Sequence, residues 1–249
     1  MIKKGYESSK DDRALRRRFF ELYKDCPIPE DEVLSNLGLF IARQKLARIM
    51  LMNDLYKMIV PIPGVVMEFG CRYGQNLALF SNFRGMYEPF NHSRKIIGFD
   101  TFEGFPHVDE KDGNAEIAQQ GFYSVPKGYE QYLHEVMDYH EKEAPLAHIK
   151  KFELVKGDCS QTVEKYLNDN PETVVALAYF DLDLYRPTKD CLSAIQKHLI
   201  KGSVLAFDDV NLHDFPGETI AIQEFFGLNS CRLLRSPYSG AFQTYMVVE

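Results

Sequence analysis

From residue 65 onward the chain repeats one alternation: a short apolar run, several of them lacking polar alternation, then a stretch with helical spacing. The runs lie at 65–69, 95–99, 152–155, 174–180, 203–207 and 244–248. Strands buried on both faces read this way, whereas strands with one wet face alternate. The helical stretches, at 75–83, 161–168, 188–199 and 218–226, have the length of crossovers. Together they predict an α/β fold whose sheet is mostly parallel and doubly wound, with helices on both faces. With 249 residues, 45% of them hydrophobic, the chain can bury one sizeable core.

Before the alternation the pattern is helical. Residues 12–24 place Leu15, Phe19, Phe20 and Leu22 among arginines, a basic amphipathic helix suited to a membrane surface, its own domain or a partner subunit. Pro29 and the acidic residues after it suit a helix N-terminus, predicting one helix from about 29 to 59 with a wide apolar face. Pro61-Ile-Pro-Gly64 then punctuates the chain. Residues 1–60 therefore read as an N-terminal helical extension and 61–249 as the sheet domain. Residues 101–150, rich in Gly, Pro, Tyr and charge, read as a lid-like insertion. The apolar faces of the N-terminal helices suggest a homodimer.

A net charge of −7 argues against broad nucleic-acid binding, which needs a concentrated basic face. Five cysteines without a Cys-x-x-Cys pair suggest neither a disulfide framework nor a zinc site. The charged start, with Lys3, Lys4 and Lys10, and the lack of a long uncharged run predict no signal peptide or membrane span, hence a cytoplasmic protein.

Chemistry concentrates where strands are expected to end. The first runs into Glu68-Phe-Gly70-Cys-Arg-Tyr-Gly74 and then a helix. Glycines here let the backbone turn sharply beside a ligand, and a helix N-terminus favours a negatively charged group. Asp100, ending the next strand, suits the hydrogen bonds of ribose hydroxyls. The spacing is not Gly-x-Gly-x-x-Gly, which disfavours a nicotinamide cofactor. It resembles the donor loop of class I methyltransferases, which implies S-adenosylmethionine, with Asp158 near the adenine and Phe102 flanking its face.

The fourth and fifth strands end in Phe180-Asp-Leu-Asp183 and Phe207-Asp-Asp209. Strand ends of a parallel sheet share one edge, so Asp181, Asp183, Asp208 and Asp209 are expected to converge. Converging carboxylates repel unless a cation joins them, and hard oxygen ligands suit Mg²⁺.

Four segments, 99–106 (Phe-Asp-Thr-Phe-Glu-Gly-Phe-Pro), 180–188 (Phe-Asp-Leu-Asp-Leu-Tyr-Arg-Pro-Thr), 207–209 and 216–226, together resemble the macrocin O-methyltransferase family. The resemblance runs from about residue 65 to the end. It implies a Rossmann-like class I methyltransferase sheet, a small-molecule acceptor methylated on a sugar hydroxyl, Mg²⁺ held by Asp181, Asp208 and Asp209, and Asp183 as general base. Asp181 is also counted with the donor residues. His213, just beyond the aspartate pair and able to titrate near neutrality, is the rival base. Val210-Asn-Leu-His213 and residues 109–148 depart from the family pattern, which leaves open a catechol, a phosphorylated precursor or a surface-polysaccharide component as acceptor. Outside enzymes, a nucleotide-binding module without turnover is the alternative.

Overall fold

A computed structural model describes residues 10–114, 117–238 and 242–249. The N-terminal lysines Lys3 and Lys4 lie outside these residues. The chain divides into two compact units, with the boundary between Leu46 and Ala47.

In the first unit, α1 (Lys10–Lys24) carries the amphipathic pattern and leaves Leu15, Phe20 and Leu22 exposed. The single helix expected over 29–59 is instead α2 (Glu30–Val33), a 3₁₀ segment (Leu34–Phe40) and α3 (Arg43–Ile59). The break has a local cause. Asn36 leaves helical geometry (φ −112°, ψ 18°), its side-chain amide donates to Glu32 O at 3.0 Å, and Ile41 is extended. Asparagine side chains compete for backbone groups in this way and weaken helices.

The apolar runs become β1 (Val65–Phe69), β2 (Ile96–Asp100), β3 (Phe152–Lys156), β4 (Val175–Phe180) and β5 (Leu199–Phe207). The pair β6 (Leu234–Arg235) and β7 (Thr244–Val247) completes one sheet in the order β3-β2-β1-β4-β5-β7-β6. The first five are parallel, whereas β7 runs antiparallel to β5 and to β6. The two-residue β6 has no sequence signal of its own.

Crossovers are α4 (Gln75–Tyr87), α5 (Tyr129–Glu143), α6 (Cys159–Asp169), α7 (Tyr185–Ile195) and α8 (Gly217–Phe226). The helix expected over 188–199 starts earlier, at Tyr185, because Pro187 falls in its first turn, where no backbone donor is needed. It also ends earlier, and β5 begins at Leu199 rather than 203.

Adjacent residues of one strand enter opposite cores. Val66 packs with Leu51, Leu55 and Tyr56 of α3 and Phe80 of α4, while Met67 packs with Val163, Leu192 and Ile222 of α6, α7 and α8. Two buried faces leave no place for polar alternation, which is why the runs are continuous. On the second face Phe99, Phe69, Phe180 and Phe207 stack across β2, β1, β4 and β5, with neighbouring ring centroids 5.0–5.1 Å apart. Each is paired in register with the next, so the residues that follow them reach one edge together.

The insertion holds a 3₁₀ turn (Glu110–Asp112) and α5, and is fastened in three places. Phe105 packs with Leu184 and Phe215 in a small core of its own. The buried Glu141 carboxylate pairs with Arg84 at 3.0 Å and Lys151 at 2.6 Å. The buried Asp112 carboxylate accepts the Tyr185 N–H at 2.5 Å, tying the insertion to the start of α7.

Candidate active site

The strand order reverses between β1 and β4, and in open α/β sheets ligands settle in the crevice at that switch. Gly70 and Asp181 open the two loops there, and their backbones nearly touch. Gly70 has φ +87°, and a Cβ on it would come within 2.0 Å of the Asp181 carbonyl oxygen. Only glycine fits the crossing. Gly74 N-caps α4 with φ 74°, turning the helix N-terminus toward the crevice.

Asp100 ties two loops together. Its carboxylate accepts the N–H of Arg72 at 2.7 Å and of Phe102 at 2.5 Å, holding both residues in the left-handed region (φ 49° and 57°). Burial pushes its pKa up against these bonds. The carboxylate, with about four lone-pair sites, keeps acceptor capacity for a ligand hydroxyl. Beside it opens a cleft of about 620 Å³ lined by Phe102, Glu103, Val125, Lys127 and Tyr129. This volume is ordinary for a cofactor-sized group. The insertion thus supplies one wall of the cleft. The Arg72 guanidinium lies 4.7 and 4.8 Å from the ring centroids of Tyr73 and Tyr123.

Two expected ligand residues are partly spoken for by the fold. Glu68 is buried, with Oε1 accepting from Asn76 at 2.8 Å and Oε2 without a hydrogen-bond partner among the described residues. Burial raises its pKa well above the usual carboxylate range. Asp158 N-caps α6, accepting the Ser160 N–H at 3.0 Å.

The aspartates converge as expected. Oxygens of Asp181, Asp208 and Asp209 lie within 4.8 Å of one another. Asp183, left-handed at φ 59°, joins them through a carboxyl–carboxylate hydrogen bond with Asp209. Burial and then neighbouring charge push Asp181 up to about 7, and burial with the charge of Asp181 pushes Asp183 up to about 8. Asp209 rises well above its ordinary value, through burial and then Asp183. His213 is exposed, and among the described residues no hydrogen bond or ion pair joins it to this cluster.

These shifts give a pH signature in the absence of divalent cations. Folded-state pKa values of about 7 and about 8 exceed the ordinary 3.8, so the folded protein holds these protons more tightly than the unfolded chain. The resulting stabilisation is complete below about pH 4 and is lost as pH rises through 7 and 8. Melting in EDTA is expected at progressively lower temperature from pH 5 to pH 9. A midpoint that climbs over that interval would contradict the geometry.

Three members of the site escaped the sequence reading. Glu218, fully buried in α8, accepts the N–H of Leu182 and of Asp209, each at 3.1 Å, and so clasps the two aspartate loops together. Tyr179 donates its hydroxyl to Asp208 at 2.5 Å. Arg48 of α3 donates to Asp208 at 2.9 and 3.1 Å and to Asp181 at 2.6 Å. A signal for Arg48 exists: with Met52, Leu55 and Ile59 it forms one helical stripe, and a charge on a buried stripe implies a buried partner.

No family model and no curated protein matches the chain. Solved structures do. CalS11, a calicheamicin methyltransferase, superposes with a TM-score of 0.93 and 43% identity, covering 97% of this chain and 94% of CalS11. An apo structure of CalS11, there named TDP-rhamnose 3'-O-methyltransferase, gives 0.85 and 40%, covering 97% and 96%. The O-methyltransferase NovP, at 0.62 and 19% identity over 81% of this chain and 79% of its own, shares the fold. The sheet is that of a Rossmann-like class I methyltransferase, and the chain belongs to the O-methyltransferase family that contains CalS11.

Proposed function

We propose that the protein transfers the methyl group of S-adenosylmethionine to a hydroxyl of a sugar carried on a nucleoside diphosphate, with Mg²⁺ at Asp181, Asp208 and Asp209 and Asp183 as general base. The observation that carries this reading is 43% identity over 97% of the chain with CalS11, itself named a TDP-rhamnose 3'-O-methyltransferase. The likeness of residues 180–188, 207–209 and 216–226 to macrocin O-methyltransferases supports the same reaction class. A nucleotide sugar also meets the phosphorylated precursor considered from the sequence.

The residues suit the parts this assigns them. Gly70, Gly74, Asp100 and the cleft beside Phe102 offer a close backbone approach, a helix N-terminus, a ribose acceptor and an aromatic wall. If Phe102 packs on the donor, Phe102→Ala is expected to weaken S-adenosylhomocysteine binding about tenfold, the equivalent of part of one buried aromatic ring. Calorimetry checks this, and unchanged affinity would remove Phe102 from the donor site.

The cation fits the donor set. Mg²⁺ would be held by hard oxygen ligands at about 2.0–2.1 Å, and three carboxylates offer them. One oxygen from each of Asp181, Asp208 and Asp209 lies within 4.8 Å of the others, so all three can reach one ion once their side chains draw in. When bound, such an ion supplies positive charge to an acceptor hydroxyl as it loses its proton. The remaining work belongs to the protein. Methyl transfer needs the acceptor oxygen in line with the sulfonium methyl, and alignment of two bound reactants contributes up to ~7–11 kcal/mol. Glu218 holds the Asp181–Asp183 loop against the Asp208–Asp209 loop, fixing where the acceptor sits. Asp183, beside Asp209, receives the proton.

The direct test is a calorimetric titration with S-adenosylmethionine and S-adenosylhomocysteine, with and without Mg²⁺, in wild type and in the double variant Asp208→Asn, Asp209→Asn. An assay with TDP-sugars follows. Donor binding that survives the substitutions, with cation binding and turnover lost, is the expected pattern. Failure of the wild type to bind the donor would end the methyltransferase reading.

A further inference from the structure

The acidic cluster already contains a cation, and it comes from the protein. Arg48 places Nη1 against both oxygens of Asp208, at 2.9 and 3.1 Å, and Nη2 against Oδ2 of Asp181, at 2.6 Å. Its Nε faces Asn76 Oδ1 at 3.4 Å, and Asn76 in turn donates to Glu68. Asp208 also accepts the Tyr179 hydroxyl. Among the described residues no other basic side chain pairs with Glu68, Asp181, Asp183, Asp208, Asp209 or Glu218.

Asp208 and Asp181 are two of the three carboxylates that would hold a divalent ion. Both Asp208 oxygens, and one of Asp181, are occupied by guanidinium N–H groups. Asp208 Oδ1 accepts from both Arg48 and Tyr179, so an ion would have to share the remaining lone pairs with the guanidinium, and two cations at that range repel. A bidentate arginine fork is the side chain best shaped to bridge two carboxylates in its place. The arrangement also explains how buried carboxylates persist without a metal, since a cluster with no counter-ion would be costly.

We propose that Arg48 is the resident counter-ion of this cluster and exchanges with the divalent cation, so that the two compete for Asp208 and Asp181 and Arg48 sets the cation affinity. This rests on the cation reading above. Arg48 acts here as a positioning residue: it keeps the carboxylates gathered until the ion arrives, and it weakens binding of ions that cannot displace it.

The test uses Mn²⁺ as probe, followed by electron paramagnetic resonance on the full chain without donor or acceptor, in wild type, Arg48→Gln and Arg48→Lys. Competition predicts Mn²⁺ binding at least tenfold tighter in Arg48→Gln, with Arg48→Lys between it and wild type because a point charge cannot span both carboxylates. It also predicts that metal-free Arg48→Gln melts below wild type and that Mg²⁺ stabilises it more. Should the variant fold only with metal, the wild type supplies a second measurement. The Arg48 Nε–H signal, identified by its loss in Arg48→Lys, should shift in proportion to Mg²⁺ bound. Equal or weaker Mn²⁺ binding in Arg48→Gln, or an unmoved Nε–H signal at saturation, overturns the exchange while leaving the cation site standing. No Mn²⁺ binding in any of the three proteins overturns both.

Discussion

Asp183→Asn is expected to lower kcat by ~10² to 10⁴-fold, the range for loss of a positioned general base, while leaving S-adenosylhomocysteine affinity within about twofold. The substitution is almost isosteric. Asp183 sits at φ 59°, a conformation that asparagine tolerates as well as aspartate, so the loop should keep its path. An amide can still hydrogen-bond to Asp209, but it cannot accept a proton from a hydroxyl. Steady-state kinetics with a nucleotide-sugar acceptor, paired with donor calorimetry, separates a lost base from a disturbed donor site. His213→Ala is the comparison. His213 is exposed and outside the hydrogen-bonded cluster, so a loss as large as that of Asp183→Asn would transfer the role of base to it.

Arg94→Met should produce the largest loss of stability of any single change considered. Arg94 is 1% exposed, and its guanidinium donates to the carbonyl oxygens of Gly64, Ile59 and Ile62 at 2.5, 2.9 and 2.8 Å. It also forms a fork with Glu88, at 2.9 and 3.1 Å. Burial pushes the Glu88 pKa up, but hydrogen bonds from Arg94, Tyr56 and Asn91 outweigh it and hold the carboxyl below its usual range. One side chain thus fastens the end of α3, the turn into β1 and the end of α4. Methionine fills much of the volume but removes the guanidinium from three carbonyls and leaves the buried Glu88 carboxylate with Tyr56 and Asn91 but no counter-charge. Breaking a buried pair from one side costs about 3–5 kcal/mol, which for a chain of this size is roughly 6–20 °C in Tm. Scanning calorimetry measures it. A fall of a degree or two would mean that water replaces the guanidinium at little cost.

How much of this was legible depended on distance along the chain. The parallel strands announced themselves as short apolar runs, most clearly where both faces are buried, as in β4, and each such run is a local pattern. Gly70 and Gly74 were readable for a similar reason: a sharp strand-to-helix turn restricts the residues within it. The four aspartates were readable at one remove, because a parallel sheet delivers its strand ends to one edge, and the phenylalanine ladder holds that edge in register. Where local propensity was the guide, the reading was coarser. The helix expected over 29–59 breaks at Asn36, and the two-residue β6 forms only because β7 offers it a partner.

Sequence by itself therefore determined the layer architecture, the turn at the end of β1 and the acids that gather at the sheet edge, since each follows from periodicity or from the topology that periodicity implies. Tertiary structure alone decided what those acids meet. Arg48 stands 133 residues from Asp181 and 160 from Asp208, and Glu218 reaches Leu182 across 36. No local rule couples such positions. They are brought together by the packing of α3 and α8 against the sheet, and burial then forces each charge to find a partner.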